Sequence, residues 1–316
     1  MTTTQCPMCL AKELEVIESL ATADLVHLYR QQLNVEVQLE FGTCEELMFY
    51  RCRVCDLRFF WPLQTGSTKF YGNLHRHDWY YLKEKSEYVT ASRWLKFGDE
   101  VLDVGCGYGF FASHAKKAGC RKFIGLELTE TAAKAAVNNG LDVRRQTIEE
   151  HALWHPKHYD LVCSFQVLEH VSEIKSFIES SLACLRAGGF LIYSVPSADS
   201  FVGQVRNGIL NLPPHHVSWW SDESLQNLAK LFHLELVEIR PEPLDKIHCK
   251  TYAFSQAVRM LELVLARRGR LIDRSMIHKL ISFLALPAAL LHYLSVKLGV
   301  VQVRGHSVTA VYRKVE

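Results

Sequence analysis

The stretch Glu100-Val101-Leu102-Asp103-Val104-Gly105-Cys106-Gly107-Tyr108-Gly109 constrains this chain more than any other. Strand-forming residues carry an acid and then meet three alternating glycines, after which Phe110 to Lys117 has helical spacing. The pattern predicts strand, tight turn and helix. Glycines at 105, 107 and 109 permit positive φ in the turn and leave bare backbone for a ligand to lie against. The helix behind them points amide N–H groups and its positive dipole end at that ligand.

A second predicted strand, Lys122 to Glu127, ends in an acid 24 residues after Asp103. A carboxylate there can accept both hydroxyls of a ribose, through charge-assisted bonds worth roughly 1.5–3 kcal/mol each. A dinucleotide fingerprint would read G-x-G-x-x-G, but Phe110 stands where the last glycine should be, which disfavours a nicotinamide-dependent oxidoreductase. Tyr159 to Ser164 reads as a buried strand running into Phe165-Gln166-Val167-Leu168-Glu169-His170-Val171. One helix later, Leu185-Arg186-Ala187-Gly188-Gly189 leads into the strand Phe190 to Pro196. In order and spacing these blocks resemble the motifs of class I S-adenosylmethionine (SAM)-dependent methyltransferases, over residues 80–240 and the last dozen.

The resemblance implies an α/β fold, a Rossmann-like sheet of seven strands, and SAM as cofactor. It assigns Asp103, Gly105, Gly107, Gly109, Glu127, Thr147, Ile148 and Gln166 to cofactor binding. Thr147 stands where the family usually has Asp, and a threonine can still hydrogen-bond the adenine amine. Ubiquinone-type O-methyltransferases carry an E-x-x-E-H pattern that binds a divalent metal. Here it reads Gln166-x-x-Glu169-His170, without the first carboxylate.

Two C-x-x-C pairs, Cys6/Cys9 and Cys52/Cys55, lie upstream. Four thiolates from two turns suit a structural zinc, which leaves no open coordination position. The 42-residue gap exceeds common finger spacing, and Leu10 and Asp56 follow the pairs where such knuckles often have glycine. The other reading is four reduced thiols around a small apolar core. Between the pairs the pattern predicts a helix from Ala21 to Gln32 and a strand from Val35 to Phe41. An aromatic segment follows, and it reads as packing between module and core, with Tyr80 or Tyr81 closing over the cofactor. The core's first helix is expected from Lys83 to Phe97.

These blocks divide the chain into a zinc-ribbon-like module (1–70), a methyltransferase core (71–241 and 304–316) and a helical insertion (242–303). Strand six is expected from Leu234 to Arg240, stopped by Pro241 and Pro243, and strand seven from Gly305 to Lys314. Two helices, Tyr252 to Arg268 and Ser275 to Leu298, fill the insertion. Leu280 to Val296 has no charged residue, a borderline length for a bilayer span. A single crossing would put strand seven on the wrong side of the membrane, so no transmembrane span is expected. Seven basic residues against Glu262 and Asp273 between Thr251 and Lys297 suit a lid that touches an anionic membrane surface. The reading preferred over that lid is a hairpin buried against the domain or a second copy in a homodimer.

Methyl transfer to a neutral hydroxyl needs a base, worth about 10²–10⁴-fold. His170, His215 and His216 are the candidates, because His titrates near neutrality. The last two stand between Pro213-Pro214 and a helix capped by Ser221. They could equally pack on Trp219 and Trp220, and His170 could cap the next helix. A His-His pair there, with upstream cysteine pairs, is similar to glycan-cluster methyltransferases. The implied function is methyl transfer from SAM to a hydroxyl of a sugar or other small polar metabolite, including a lipid-linked glycan. A SAM-binding partner subunit without turnover, or a methyltransferase acting on carbon or nitrogen, is the alternative. A net charge of +2 gives no support to a nucleic-acid partner. Ten cysteines and an apolar-poor start suggest a reducing, cytoplasmic setting.

Overall fold

The computed structural model describes residues 4–74, 82–298 and 303–315. Tyr80 and Tyr81 lie outside the described residues. In chain order the first elements are β1 (Leu14–Ala21), α1 (Thr22–Leu33), α2 (Gln38–Phe41), β2 (Glu46–Cys52), β3 (Arg58–Trp61) and α3 (Thr68–Leu74). The core begins with α4 (Ser86–Ser92), β4 (Glu100–Val104), α5 (Ala112–Ala118), β5 (Lys122–Leu126), α6 (Glu130–Asn138) and β6 (Asp142–Arg144). It continues through α7 (Ile148–Ala152), β7 (Tyr159–Phe165), α8 (Ile174–Cys184), β8 (Leu185–Pro196), β9 (Ser218–Trp219), α9 (Asp222–Leu231) and β10 (Leu234–Pro243). The helices α10 (Cys249–Val264) and α11 (Met276–Lys297) precede the last strand, β11 (Arg304–Lys314).

Seven strands form one sheet in the order β10-β11-β8-β7-β4-β5-β6. Strands β8, β7, β4, β5 and β6 are parallel, and β11 runs antiparallel between β8 and β10. Parallel strands are covered on both faces, which is why they read as apolar runs. Leu102 and Val104 of β4 pack with Ile124, Leu126 and Val162 on one face. Val101 joins Leu161, Cys163 and Ile192 on the other.

Some local expectations give way. Val35 to Phe41 is not a strand: α2 lies there, and the module's strands are β1, β2 and β3. The first core helix is only α4, seven residues long. Pro241 and Pro243 do not stop strand six, because β10 is an edge strand whose bonds all go to β11 and can lose two donors. The direction of β10 is that of the parallel strands, but its only bonded neighbour is antiparallel.

The module's sheet runs β1-β2-β3-β9, so its fourth strand comes from residues 218–219 of the core. Phe49 and Phe60 stack with centroids 4.4 Å apart, and Trp219 meets Phe49 edge-on at 4.9 Å. Tyr29 donates its hydroxyl to the Ile209 carbonyl at 2.8 Å. The buried Asp56 takes a hydrogen bond from Ser221, whose hydroxyl also accepts from the Ser224 amide at 3.0 Å to cap α9. Within the aromatic segment, Phe60 thus packs the module onto the core, and its amide donates to the Val217 carbonyl at 3.0 Å, on the loop that carries His215 and His216.

Candidate active site

The glycine turn lies at the carboxyl end of β4, where open α/β sheets place their ligands. Gly105, Gly107 and Gly109 have φ of +77°, +55° and +76°. A Cβ at Gly109 would sit 2.1 Å from Leu141 Cδ1, so that glycine also sets how closely the turn packs on the strand beyond. Glu127 follows β5 and is buried. Its carboxylate accepts from the Gly107 amide at 3.0 Å and from the Thr129 amide at 2.7 Å. Two lone-pair sites are so occupied, and a carboxylate has about four.

Thr147 caps α7 in a reciprocal box: its hydroxyl accepts from the Glu150 amide at 3.2 Å, and Glu150 accepts from the Thr147 amide at 2.9 Å. The hydroxyl hydrogen is left to donate. Gln166 sits just past β7 with φ of +58°, unusual for a residue with a side chain. Its amide nitrogen donates to Ser307 Oγ at 3.1 Å.

Gly105, Glu127, Thr147, Ile148 and Gln166 line one cavity of about 1010 Å³, and so do His170, His215 and His216. Asp103, Gly107 and Gly109 are outside the lining and shape its wall from behind. Burial first, then the neighbouring Glu127, pushes Asp103 up to about 7. The cavity also takes in Glu242, His248, His306 and Ser307. These come from the ends of β10 and β11 and from the segment after β10. No local motif marks them, because the cavity forms only when β11 inserts between β8 and β10.

The three histidines meet. The rings of His170 and His215 lie 4.6 Å apart, and those of His215 and His216 stack at 4.5 Å. Neither packing on the tryptophans nor capping of α8 describes them: Trp219 joins the module, and Glu173 is the N-cap of α8. His215 Nδ1 donates to the Leu210 carbonyl at 2.8 Å, His216 Nδ1 to Asn211 Oδ1 at 3.1 Å, and His170 Nδ1 to the His215 carbonyl. With the proton on Nδ1, each imidazole keeps its lone pair on Nε2.

Between them lies Glu169, 1% exposed, with neither carboxylate oxygen hydrogen-bonded among the described residues. Its Oε1 is 3.9 Å from His170 Nε2 and 4.0 Å from His216 Nε2. Burial raises Glu169 to about 8 and lowers His170 to about 4. Burial, with His215 and His170 beside it, also holds His216 well below its ordinary value. Burial thus favours the uncharged forms of Glu169, His170 and His216 near neutrality, and a proton or cation brought among them would find partners already placed. The three ring nitrogens lie within 4.8 Å of one another, a spacing that a divalent cation could also bridge.

A family model described as a methyltransferase domain matches residues 75–239. The chain belongs to the methyltransferase-domain family. A ubiquinone biosynthesis O-methyltransferase of Salmonella newport is 33% identical over 112 residues, and its counterpart from Salmonella typhimurium matches equally. The match covers 34% of this chain and 46% of each relative, so the chain spans about half the length of those proteins. A SAM dependent methyltransferase from Archaeoglobus fulgidus shares the fold, with a TM-score of 0.52 at 16% identity, over 77% of this chain and all of that one. SAM is accordingly the cofactor. The residues fit it: the buried Glu127 carboxylate, held by two backbone amides, lines a cavity with Gly105, Thr147, Ile148 and Gln166 that is large enough for the whole molecule.

The four cysteines also come together. Cys6 Sγ is 3.5 Å from Cys55 Sγ, Cys9 Sγ is 3.5 Å from Cys52 Sγ, and all four lie within 4.8 Å of one another. Sulfurs on a tetrahedral zinc at 2.3 Å would be about 3.8 Å apart. Leu10 and Asp56, the residues in place of glycine, adopt φ of +62° and +64°. Their amides donate to the Cys6 and Cys52 carbonyls at 2.9 and 3.0 Å, so both knuckles keep their turn without glycine. The set fits a structural zinc.

Proposed function

We propose that this chain transfers the methyl group of SAM to a hydroxyl of a sugar or another small polar metabolite. The observation that carries this reading is the buried Glu169–histidine cluster in the same cavity as the cofactor-binding residues. Bound SAM supplies a methyl on a sulfonium. The glycine turn and Glu127 orient the cofactor, and the rest of the cavity aligns the acceptor; positioning of this kind can supply roughly 7–11 kcal/mol. Transfer to a hydroxyl would leave the acceptor's proton to be taken up by this chain's own residues. A histidine Nε2 takes it, with Glu169 Oε1 standing 3.9 Å from His170 Nε2 and 4.0 Å from His216 Nε2.

An amine or thiol acceptor would need less of this machinery, which favours oxygen over nitrogen. The polar lining from Glu242, Lys246, His248 and Ser307 suits a hydroxylated acceptor. The setting we propose is cytoplasmic. The test is release of S-adenosylhomocysteine over a panel of sugars, glycosides and phenols. His216→Ala and Glu169→Gln should each lower turnover at least about a hundredfold and leave SAM affinity within a few fold. Equal turnover in both variants would remove the cluster from the chemistry.

A further inference from the structure

Helices α10 and α11 form a hairpin with a thin seam. Ala257 and Val258 meet Ile281, Ala285 and Ala289 there, with small side chains letting the helices approach. On its other side α10 rests on the core: Tyr252 meets Phe201 edge-on at 5.8 Å, and Glu262 pairs with Arg206 at 2.8 Å. The order is core, α10, α11, so α11 is the outermost layer. Its 18-residue window of mean hydropathy 1.6 is only 17% buried. Phe283, Leu284, Leu290 and Leu291 are 55–70% exposed, and Met260, Leu263 and Val264 of α10 extend the same surface.

A helix apolar on nearly every side is found in a core or in lipid. Spanning is ruled out by its tethers. The turn before α11 is locked to the N-terminal module: Leu271 and Ile272 are buried, the Leu271 amide donates to Glu18 at 2.9 Å, and Arg274 pairs with Asp24 at 2.5 Å. The other end returns to the sheet, where the Leu244 amide donates to the Val303 carbonyl at 3.2 Å. Twenty-two residues at 1.5 Å each make a rod of about 33 Å lying across one body.

Charge selects the occupant. The only acids between Cys249 and Leu298, Glu262 and Asp273, are buried against Arg206 and Arg267. Every exposed charge on α10 and α11 is basic: Lys250, Arg259, Lys279 and Lys297. The rest of the excess positive charge read from the sequence faces the module, through Arg268, Arg270 and Arg274. A second copy would meet this surface with the same sign, whereas an anionic lipid surface complements it. We propose that the hairpin is a monotopic lipid-docking face, with α11 lying in the plane of an anionic bilayer and its leucines among the acyl chains. Lys246 and Ile247, at the cavity rim just before α10, would then stand beside that surface.

Flotation of the full chain with vesicles of phosphatidylcholine and phosphatidylglycerol tests this. The wild type should float, and several-fold less with phosphatidylcholine alone. Phe283→Glu with Leu291→Glu, both exposed and away from the cavity, should lower vesicle binding by roughly tenfold or more per side chain while SAM affinity is unchanged. Failure of the wild type to bind anionic vesicles overturns the proposal. So does a concentration-dependent dimer in ultracentrifugation that the same double variant dissolves, because a second copy would then cover the face.

Discussion

Glu127 gives the sharpest test of how this site holds its cofactor. Its carboxylate is kept in place by two backbone amides, those of Gly107 and Thr129, at 3.0 and 2.7 Å. Two lone-pair sites are left toward the cavity, enough for both hydroxyls of a ribose. Each bond to a charged acceptor is worth about 1.5–3 kcal/mol net, and water entering the site replaces part of that. Glu127→Ala should therefore cost about 2–4 kcal/mol of SAM binding, or roughly 30- to 1,000-fold in affinity. The two amides lose their acceptor as well. Thr129 borders the cavity, where water can serve its amide, but Gly107 is buried behind the wall, so the folding cost should be about 1–3 kcal/mol. Glu127→Gln is the informative partner. Its single carbonyl oxygen can accept from one amide only, and its NH₂ group turns toward the other, so it should bind SAM little better than the alanine variant. Titration calorimetry with SAM reads the affinity, and thermal melting without ligand reads the fold. Affinity within about threefold of wild type, in a variant that melts normally, would refute the role of this carboxylate.

The purified protein should carry one equivalent of zinc, and Cys52→Ser should lose it. Because the module supplies Phe60, Tyr29 and Asp56 to the loop that bears His215 and His216, that variant should also lose turnover while SAM affinity stays nearly intact. Gly109→Ala should destabilise the core by about 1–3 kcal/mol in denaturant titration, since its Cβ would overlap Leu141 and φ is positive. Chelator treatment distinguishes the two uses of the histidine cluster. If Glu169 and the histidines work as a base, turnover should survive removal of loosely held metal; loss restored by manganese would assign them to a cation.

The parts of this protein legible in the chain are those whose cause is local. Three glycines between an apolar strand and a helix dictate the turn at Gly105 to Gly109 through φ alone. Ser221 followed by two acids starts α9 in the same way, and two C-x-x-C pairs converge because so few structures use four thiols at that spacing. Even here, Leu10 and Asp56 reached the left-handed region without being glycine, a choice made by the knuckle as a whole. What the tertiary structure decided rests on contacts between distant residues. His170 and His215 are 45 positions apart, Asp56 and Ser221 are 165, and no periodicity connects them. The prolines of β10 are tolerated only because that strand lies at an edge, a property of sheet order rather than of its own residues. Hydrophobicity of α11 was visible at once, but whether its leucines face a core or the outside depended on where its two ends were tied.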